Sequence, residues 1–397
     1  MTGTRAKTLS LDERDRRWAA IRERMAERGL DCLIVRGISS KWDGGTANVR
    51  YITQVGGNGE DAMVVFPAAG EPSVLLWASS QRQWWAEAQD WVADFRQGNP
   101  SWAGETVARI KELGHTRARI GVVGIGGRTE AGKCMSHDIY AAIVEALPDA
   151  EFEAASDIFD TLRLIKSPEE LETMAQSARL CDVAVEAMVA AAGTPGVASH
   201  EVYAEILHAV YRAGGEAPMF LMYEADPNAV HALRFPSERR LAPGYMLLQE
   251  ILPKYAGYFT QVMAPVSIGE PHRDYRRLAD AAIAAYRIAL ETIRPGVSVK
   301  QLAETMNQPL VEAGYTWTRP QWHGTGLENV EPPTDRNFPG RTGPAGDLVL
   351  AEGMILGMQP MAALADLSKG VQVGDTVAVT ADGAHRLGTV AMELYVV

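Results

Sequence analysis

Residues 247–261, LLQEILPKYAGYFTQ, decide how this chain is read. Apolar Leu247, Leu248, Ile251 and Leu252 come first, Pro253 and Lys254 interrupt them, and Tyr255-Ala256-Gly257-Tyr258-Phe259 follows, rich in strand-favouring aromatics. The pattern predicts a strand, a tight turn and a second strand. Such a hairpin can bring Glu250, in the first strand, and Gln261, at the end of the second, toward one pocket. A carboxylate in an apolar strand costs free energy to bury without a partner. Glu250 is therefore either a solvent-facing edge residue or a functional acid, and this stretch alone leaves both open.

Bulk properties narrow the surroundings of that hairpin. The chain has 397 residues, enough for two or three domains with ample cores. A net charge of −12 argues against nucleic acid or an anionic membrane as partner, since either wants a basic patch. Cys32, Cys134 and Cys181 are scattered, form no CxxC, and suit a reducing cytoplasm. The N-terminus is polar, without an apolar signal core, and no apolar run reaches the length of a membrane span. A soluble cytoplasmic protein is expected.

Upstream of the hairpin, Asp12 to Arg28 reads as an amphipathic helix with Trp18, Ile21 and Met25 at helical spacing. Short apolar runs follow at 31–35, 49–52, 62–66, 73–77 and 119–123, with a helix at Glu105–Leu113 between them. They predict an α/β domain over residues 1–160. Gly124-Ile125-Gly126-Gly127 follows a strand, but its third glycine is misplaced for a dinucleotide-binding turn and no acidic ribose partner follows. Ser167-Pro168-Glu169-Glu170 has the form of a capping box with proline in the first turn, opening a long helix to about Ala192. Helices at 200–213, 274–293 and 299–313 and strands at 219–223 and near Leu348, Met354 and Thr376 complete a second domain, 161–397.

The second half then resembles the creatinase and aminopeptidase P family, with its "pita-bread" fold. The signatures fall in family order: Ile165 to Glu170, Ala229-Val230-His231, Gly257-Tyr258, Ile293 to Val297, His323-Gly324-Thr325-Gly326-Leu327, Glu352 to Ile355 running into Gln359-Pro360, and Asp375-Thr376-Val377. The resemblance implies a small N-terminal creatinase-type α/β domain ahead of a C-terminal pita-bread catalytic domain, in an α/β (α+β) protein. It also implies a homodimer with the site shared across the interface.

The family's metallopeptidases hold two divalent ions with two Asp, one His and two Glu. Those positions fall on Glu250, Gln261, His323, Gln359 and Gly374, where one carboxylate, one imidazole, two amides and a glycine stand. A two-ion centre needs several anionic oxygens, so no metal and no cofactor is expected. The pattern looks like creatinase, a metal-free member whose proton-transferring histidine corresponds to His231. The two glutamates that hold creatine are Met263 and Gln359 here, which argues against creatine itself.

These residues supply an acid–base pocket. Without a metal, Glu250 is expected to lack a strong counter-charge, so that burial raises its pKa. His231 can take and give a proton near neutrality, although alone it reads as a surface histidine. His323 is a second acid, an oxyanion donor, or a structural turn residue. Gln261 and Gln359 offer uncharged donors and acceptors to a substrate. Tyr258, Met263, Trp322 and Glu331 complete the expected substrate-binding set, with Glu331 otherwise a plain loop acid. Trp77, Trp84, Trp85, Trp91 and Trp317 are core or interface aromatics, or the lining of a pocket for a flat substrate. The resulting order of functions is a metal-independent, creatinase-like hydrolase of a C–N bond in a small molecule, then a lyase, then a non-catalytic binding protein. A metal-dependent Xaa-Pro aminopeptidase comes last.

Overall fold

The computed structural model describes residues 7–57, 59–231, 234–334 and 348–397. Its contacts divide the chain into Met1–Arg163 and Leu164–Val397.

In the first unit, β1 (Cys32–Gly37), β2 (Ala62–Pro67), β3 (Ser73–Leu76), β4 (Asp94–Gln97), β5 (Arg119–Val123) and β6 (Glu151–Ala154) form one sheet in the order β4-β3-β2-β1-β5-β6. Strand β1 runs parallel to β5 and antiparallel to β2. Both β1 and β2 are buried at every residue, as suits strands covered on two faces. Helices α1 (Leu11–Glu27), α2 (Ala47–Thr53), α3 (Ser79–Ala88), α4 (Trp102–Glu112), α5 (His137–Ala146) and α6 (Ser156–Leu162) alternate with them. Helix α1 starts where Ser10 accepts the Glu13 amide, and it buries Trp18, Ile21 and Met25. One expectation fails: 49–52 lies within α2, every residue of which is buried. A short apolar run does not separate a buried strand from a buried helix. At the Gly124–Gly127 turn no helix follows until His137, and Gly127 packs directly on Gly132, so the turn serves loop packing.

In the second unit, α7 (Pro168–Ala192) opens with the expected capping box between Ser167 and Glu170, and α8 (Ser199–Arg212) follows. Strand β7 (Phe220–Asp226) pairs antiparallel with β8 (Met246–Leu252). The turn of the hairpin between β9 (Lys254–Tyr255) and β10 (Tyr258–Phe259) has Ala256 at φ 48° and Gly257 at φ 86°. Two successive left-handed residues give the twist that a two-residue hairpin loop needs. The chain then returns through β11 (Val262–Met263) to β8 and continues to β12 (Val266–Ser267). Helices α9 (Arg273–Thr292) and α10 (Val299–Glu312) precede β13 (Trp322–Gly324) and β14 (Glu331–Thr334). Strands β15 (Ile355–Met358), β16 (Met361–Ala363), β17 (Gly370–Gln372), β18 (Gly374–Thr380), β19 (Gly383–Arg386) and β20 (Tyr395–Val396) end the fold.

The main sheet runs β14-β13-β15-β18-β11-β8-β12-β20, with β7 on β8 and β19 on β18. Alternation along β8 sorts its side chains between two cores. Leu247 and Ile251 join the core that holds α7 and α8, while Met246 and Leu248 join the one that holds α9 and α10. Glu250 has the parity of Met246 and Leu248. No described helix is long and apolar enough to cross a membrane.

Candidate functional site

Strand register gathers the polar residues on one face. His323 lies opposite Gly357, Gly357 opposite Thr376, and the Gln261 backbone N–H donates to the Thr376 hydroxyl at 2.7 Å. Two residues along, Met222 lies opposite Glu250 and Met263 opposite Gly374. Continuing the β15–β18 register by two steps brings Gln359 to Gly374. Since neighbours across strands share a face and residues two apart share it too, Glu250, Gln261, His323 and Gln359 converge.

Glu250 is buried, and its Oε2 is bound by Nη1 of Arg319; the two side chains are 8% and 12% exposed. The expectation of a carboxylate without a strong counter-charge is thereby corrected. Nη2 of Arg319 reaches the Met222 sulfur at 3.4 Å. Arg319 escaped the sequence reading because its contact spans 69 residues. The available signal was a lone arginine four residues ahead of His323, fixed before a proline.

Gln261 donates through Nε2 to the Met358 carbonyl at 3.3 Å, and its Oε1 is buried without a hydrogen-bond partner. Its amide lies on Gly357, where any Cβ would stand 2.5 Å from Gln261 Cδ. Gln359 donates to the Pro320 carbonyl at 2.8 Å. Its Oε1 is buried without a hydrogen-bond partner, and the Gln359 side chain favours a proton on His323. His323 is fully buried, with Nδ1 2.9 Å from the Gly324 carbonyl oxygen. Burial pushes its pKa below the ordinary value, against the opposing pull of the Gly324 carbonyl, Glu250 and Gln359. Burial thus favours the neutral ring, whose Nδ1–H can donate to the Gly324 carbonyl.

His231 sits in the turn after β7, where the Glu224 carboxylate accepts the amides of Val230 and His231 at 3.1 and 3.0 Å. It is half-buried and its Nδ1 has no partner. Burial first, and then the Arg319 charge, lower its pKa. Arg319 therefore bears on both His231, through its charge, and Glu250, through an ion pair.

Other expected site residues are committed elsewhere. The Tyr258 hydroxyl donates to Glu170 at 2.9 Å, at the start of α7. Trp322 belongs to the core against α9 and α10 and alternates away from His323. Glu331 forms a buried ion pair with Lys166 at 3.0 Å and accepts the Glu328 amide. Those contacts engage all three side chains within the protein. Met263 is buried opposite Gly374.

The positions matching the family's two-ion centre do not fit such a centre. A Cβ at Gly374 would stand 2.1 Å from the Met358 carbonyl oxygen, so no carboxylate can project there. Both amides already donate to backbone carbonyls, Glu250 is neutralised by Arg319, and the guanidinium repels a cation. Among the described residues no group of three or more His, Cys, Asp or Glu is placed to hold a metal. Hard divalent ions want several anionic oxygens.

Comparison with known proteins places the whole arrangement. The model of the creatinase/prolidase N-terminal domain matches residues 17–165, and that of metallopeptidase family M24 matches residues 172–381. An Xaa-Pro dipeptidase of Pyrococcus furiosus is 28% identical over 249 residues, 62% of this chain and 68% of that protein. A probable dipeptidase, PepE, of Mycobacterium tuberculosis is 29% identical over 61% of this chain and 63% of its own. The crystal structure of an X-Pro aminopeptidase from Thermotoga maritima superposes with a TM-score of 0.79 at 18% identity, covering 96% of this chain and 99% of that one. A prolidase from Thermococcus sibiricus gives 0.80 at 18%, covering 98% and 100%. The mixed α/β architecture, N-terminal creatinase-type domain before pita-bread domain, is therefore the one these proteins share.

The relatives' names also overturn the order of functions drawn from the sequence. A metal-independent, creatinase-like small-molecule enzyme stood first there and a metal-dependent Xaa-Pro peptidase last, whereas the relatives are named as Xaa-Pro dipeptidases and dipeptidases. With just over half of its length matched by one family model and most of the remainder by the companion N-terminal model, the chain belongs to metallopeptidase family M24.

Proposed function

We propose that this chain is a hydrolase that cleaves the amide bond of a small peptide-like substrate, with dipeptides as the first class to test. The supporting observation is the polar group of Glu250, Arg319, Gln261, His323 and Gln359 on one face of a largely apolar sheet, within the region matched by the peptidase family model. Neutral amides and a guanidinium complement the carbonyl, N–H and carboxylate groups of a peptide. His323 and His231, both held toward the neutral form, can accept a proton and return it to a leaving amine. Overall, water supplies hydroxyl to the carbonyl carbon, the C–N bond breaks, and the amine leaves with the water's proton. No step is assigned to metal ions, because the donor set does not fit them.

The proposal extends to a cytoplasmic homodimer. Cys32, Cys134 and Cys181 are buried and form no disulfide among the described residues, which supports a reducing compartment. Trp77 and Trp84, 56% and 46% exposed, are side chains that an interface would cover. Light scattering on a sizing column tests the dimer.

For the activity, purified protein is incubated with prolyl and non-prolyl dipeptides, with manganese in one arm and chelator in another, and free amino acids are quantified. Equal release of both amino acids supports the reading. Intact dipeptides in every arm would sink it, and an unsaturated product formed without water would point to a lyase instead.

A further inference from the structure

Arg319 brings a guanidinium to the site, and protein groups take only part of its donor capacity. A guanidinium offers five N–H donors in a planar fork. Here one goes to a single oxygen of Glu250 and another to the Met222 thioether, a weak acceptor. Carboxylates prefer a parallel two-point contact with arginine, and Glu250 does not make one in this structure. Three polar atoms of the same site lack hydrogen-bond partners: His231 Nδ1, whose ring feels the Arg319 charge, and the Oε1 atoms of Gln359, which donates to the Pro320 carbonyl beside Arg319, and Gln261, the two glutamines being at least nine-tenths buried. A buried amide oxygen without a donor costs free energy. The site thus has spare donors at Arg319 and spare acceptors at the glutamines.

We infer that Arg319 is a specificity-determining residue that takes a carboxylate of the substrate, and that Glu250 is the internal carboxylate it exchanges for that group. The matching ligand carries an anionic carboxylate at one end and N–H donors within reach of Gln261 and Gln359, as an N-acyl amino acid or dipeptide does. Until such a ligand arrives, Glu250 keeps the guanidinium neutralised. Exchange hands the charge of Arg319 to the substrate and leaves the Glu250 carboxylate beside His323. The inference rests on the hydrolase reading for its context, but it is read by binding, without turnover. A chain that cleaves no dipeptide can still show it.

The probes are N-acetylglycine and its uncharged counterpart N-acetylglycinamide, titrated by calorimetry or saturation-transfer NMR into the full-length protein. The acid is expected to bind at least tenfold more tightly than the amide. Arg319→Ala should abolish that preference and Arg319→Lys should restore part of it. Since Arg319→Ala strands a buried carboxylate and can impair folding, Glu250→Gln provides the second arm. Removing the internal competitor should tighten N-acetylglycine binding several-fold, a gain that a merely structural ion pair does not predict. Equal affinity for acid and amide, no binding of either at tens of millimolar, or unchanged or weaker acid binding in Glu250→Gln would each overturn the inference.

Discussion

Gly374 shows how one residue constrains the chemistry of the site. Its φ of 148° is unfavourable for other residues, and the Met358 carbonyl occupies the place of a Cβ. Restoring an acid by Gly374→Glu is expected to cost about 3 kcal/mol or more, because both the backbone conformation and the strand spacing must change. Chemical denaturation would show it as a lowered midpoint, and an undiminished midpoint would mean that β15 can move away. His323 gives a prediction in pH. Its folded pKa lies below the ordinary 6.5, so the unfolded chain takes up a proton first as the pH falls past that value. More protons on the unfolded state mean that stability declines from about pH 7 downward, until the folded ring titrates as well. In urea titrations across that range, His323→Gln should flatten the decline; an unaltered slope would assign it to other groups. At this scale Glu250 and Gln261 could be read from the hairpin, since their spacing and neighbours are local. Arg319 could not, because its partner lies 69 residues away in β8.

Among the elements, those with local causes were legible. The Ser167–Glu170 capping box and Pro168 marked the start of α7, whereas the turn of the hairpin, expected at Pro253-Lys254, falls at Ala256-Gly257, where two successive residues take positive φ. Residues 49–52 were misread because helix and strand can bury the same short apolar run. The hairpin carries a testable strain. Ala256 holds φ 48°, a region that costs an L-residue about 1 kcal/mol or more. Ala256→Gly is expected to stabilise the protein by up to about 1 kcal/mol, less the entropy of glycine in the unfolded chain. A loss of stability in thermal melts would show that the alanine methyl packs usefully. The segment before α7 is tied to β14 through Lys166 and Glu331, each side chain 2% exposed. Lys166→Met should cost roughly 3–5 kcal/mol by removing the buried cation that neutralises the Glu331 carboxylate. The double variant Lys166→Met/Glu331→Leu should recover part of this, and a double variant no better than the single would count against pairing as the cause.

For the whole molecule, membership of a metallopeptidase family and a donor set unsuited to two ions meet in one chain. Elemental analysis after equilibration with manganese or zinc and dialysis is expected to find fewer than two bound ions per chain. Two retained ions would show that Gln261 and Gln359 rearrange around them. By itself the sequence determined the order of signatures, the two-part architecture, and which positions had lost their carboxylates, because these follow from residue identity and local spacing. Only the tertiary structure decided what those residues do to one another. Glu250 gains its counter-charge from Arg319, Glu331 is drawn to Lys166, and Gly374 is closed to any side chain by the Met358 carbonyl, all through contacts between residues apart in the chain. Pairing energies of that kind depend on distance and burial, which no local pattern encodes.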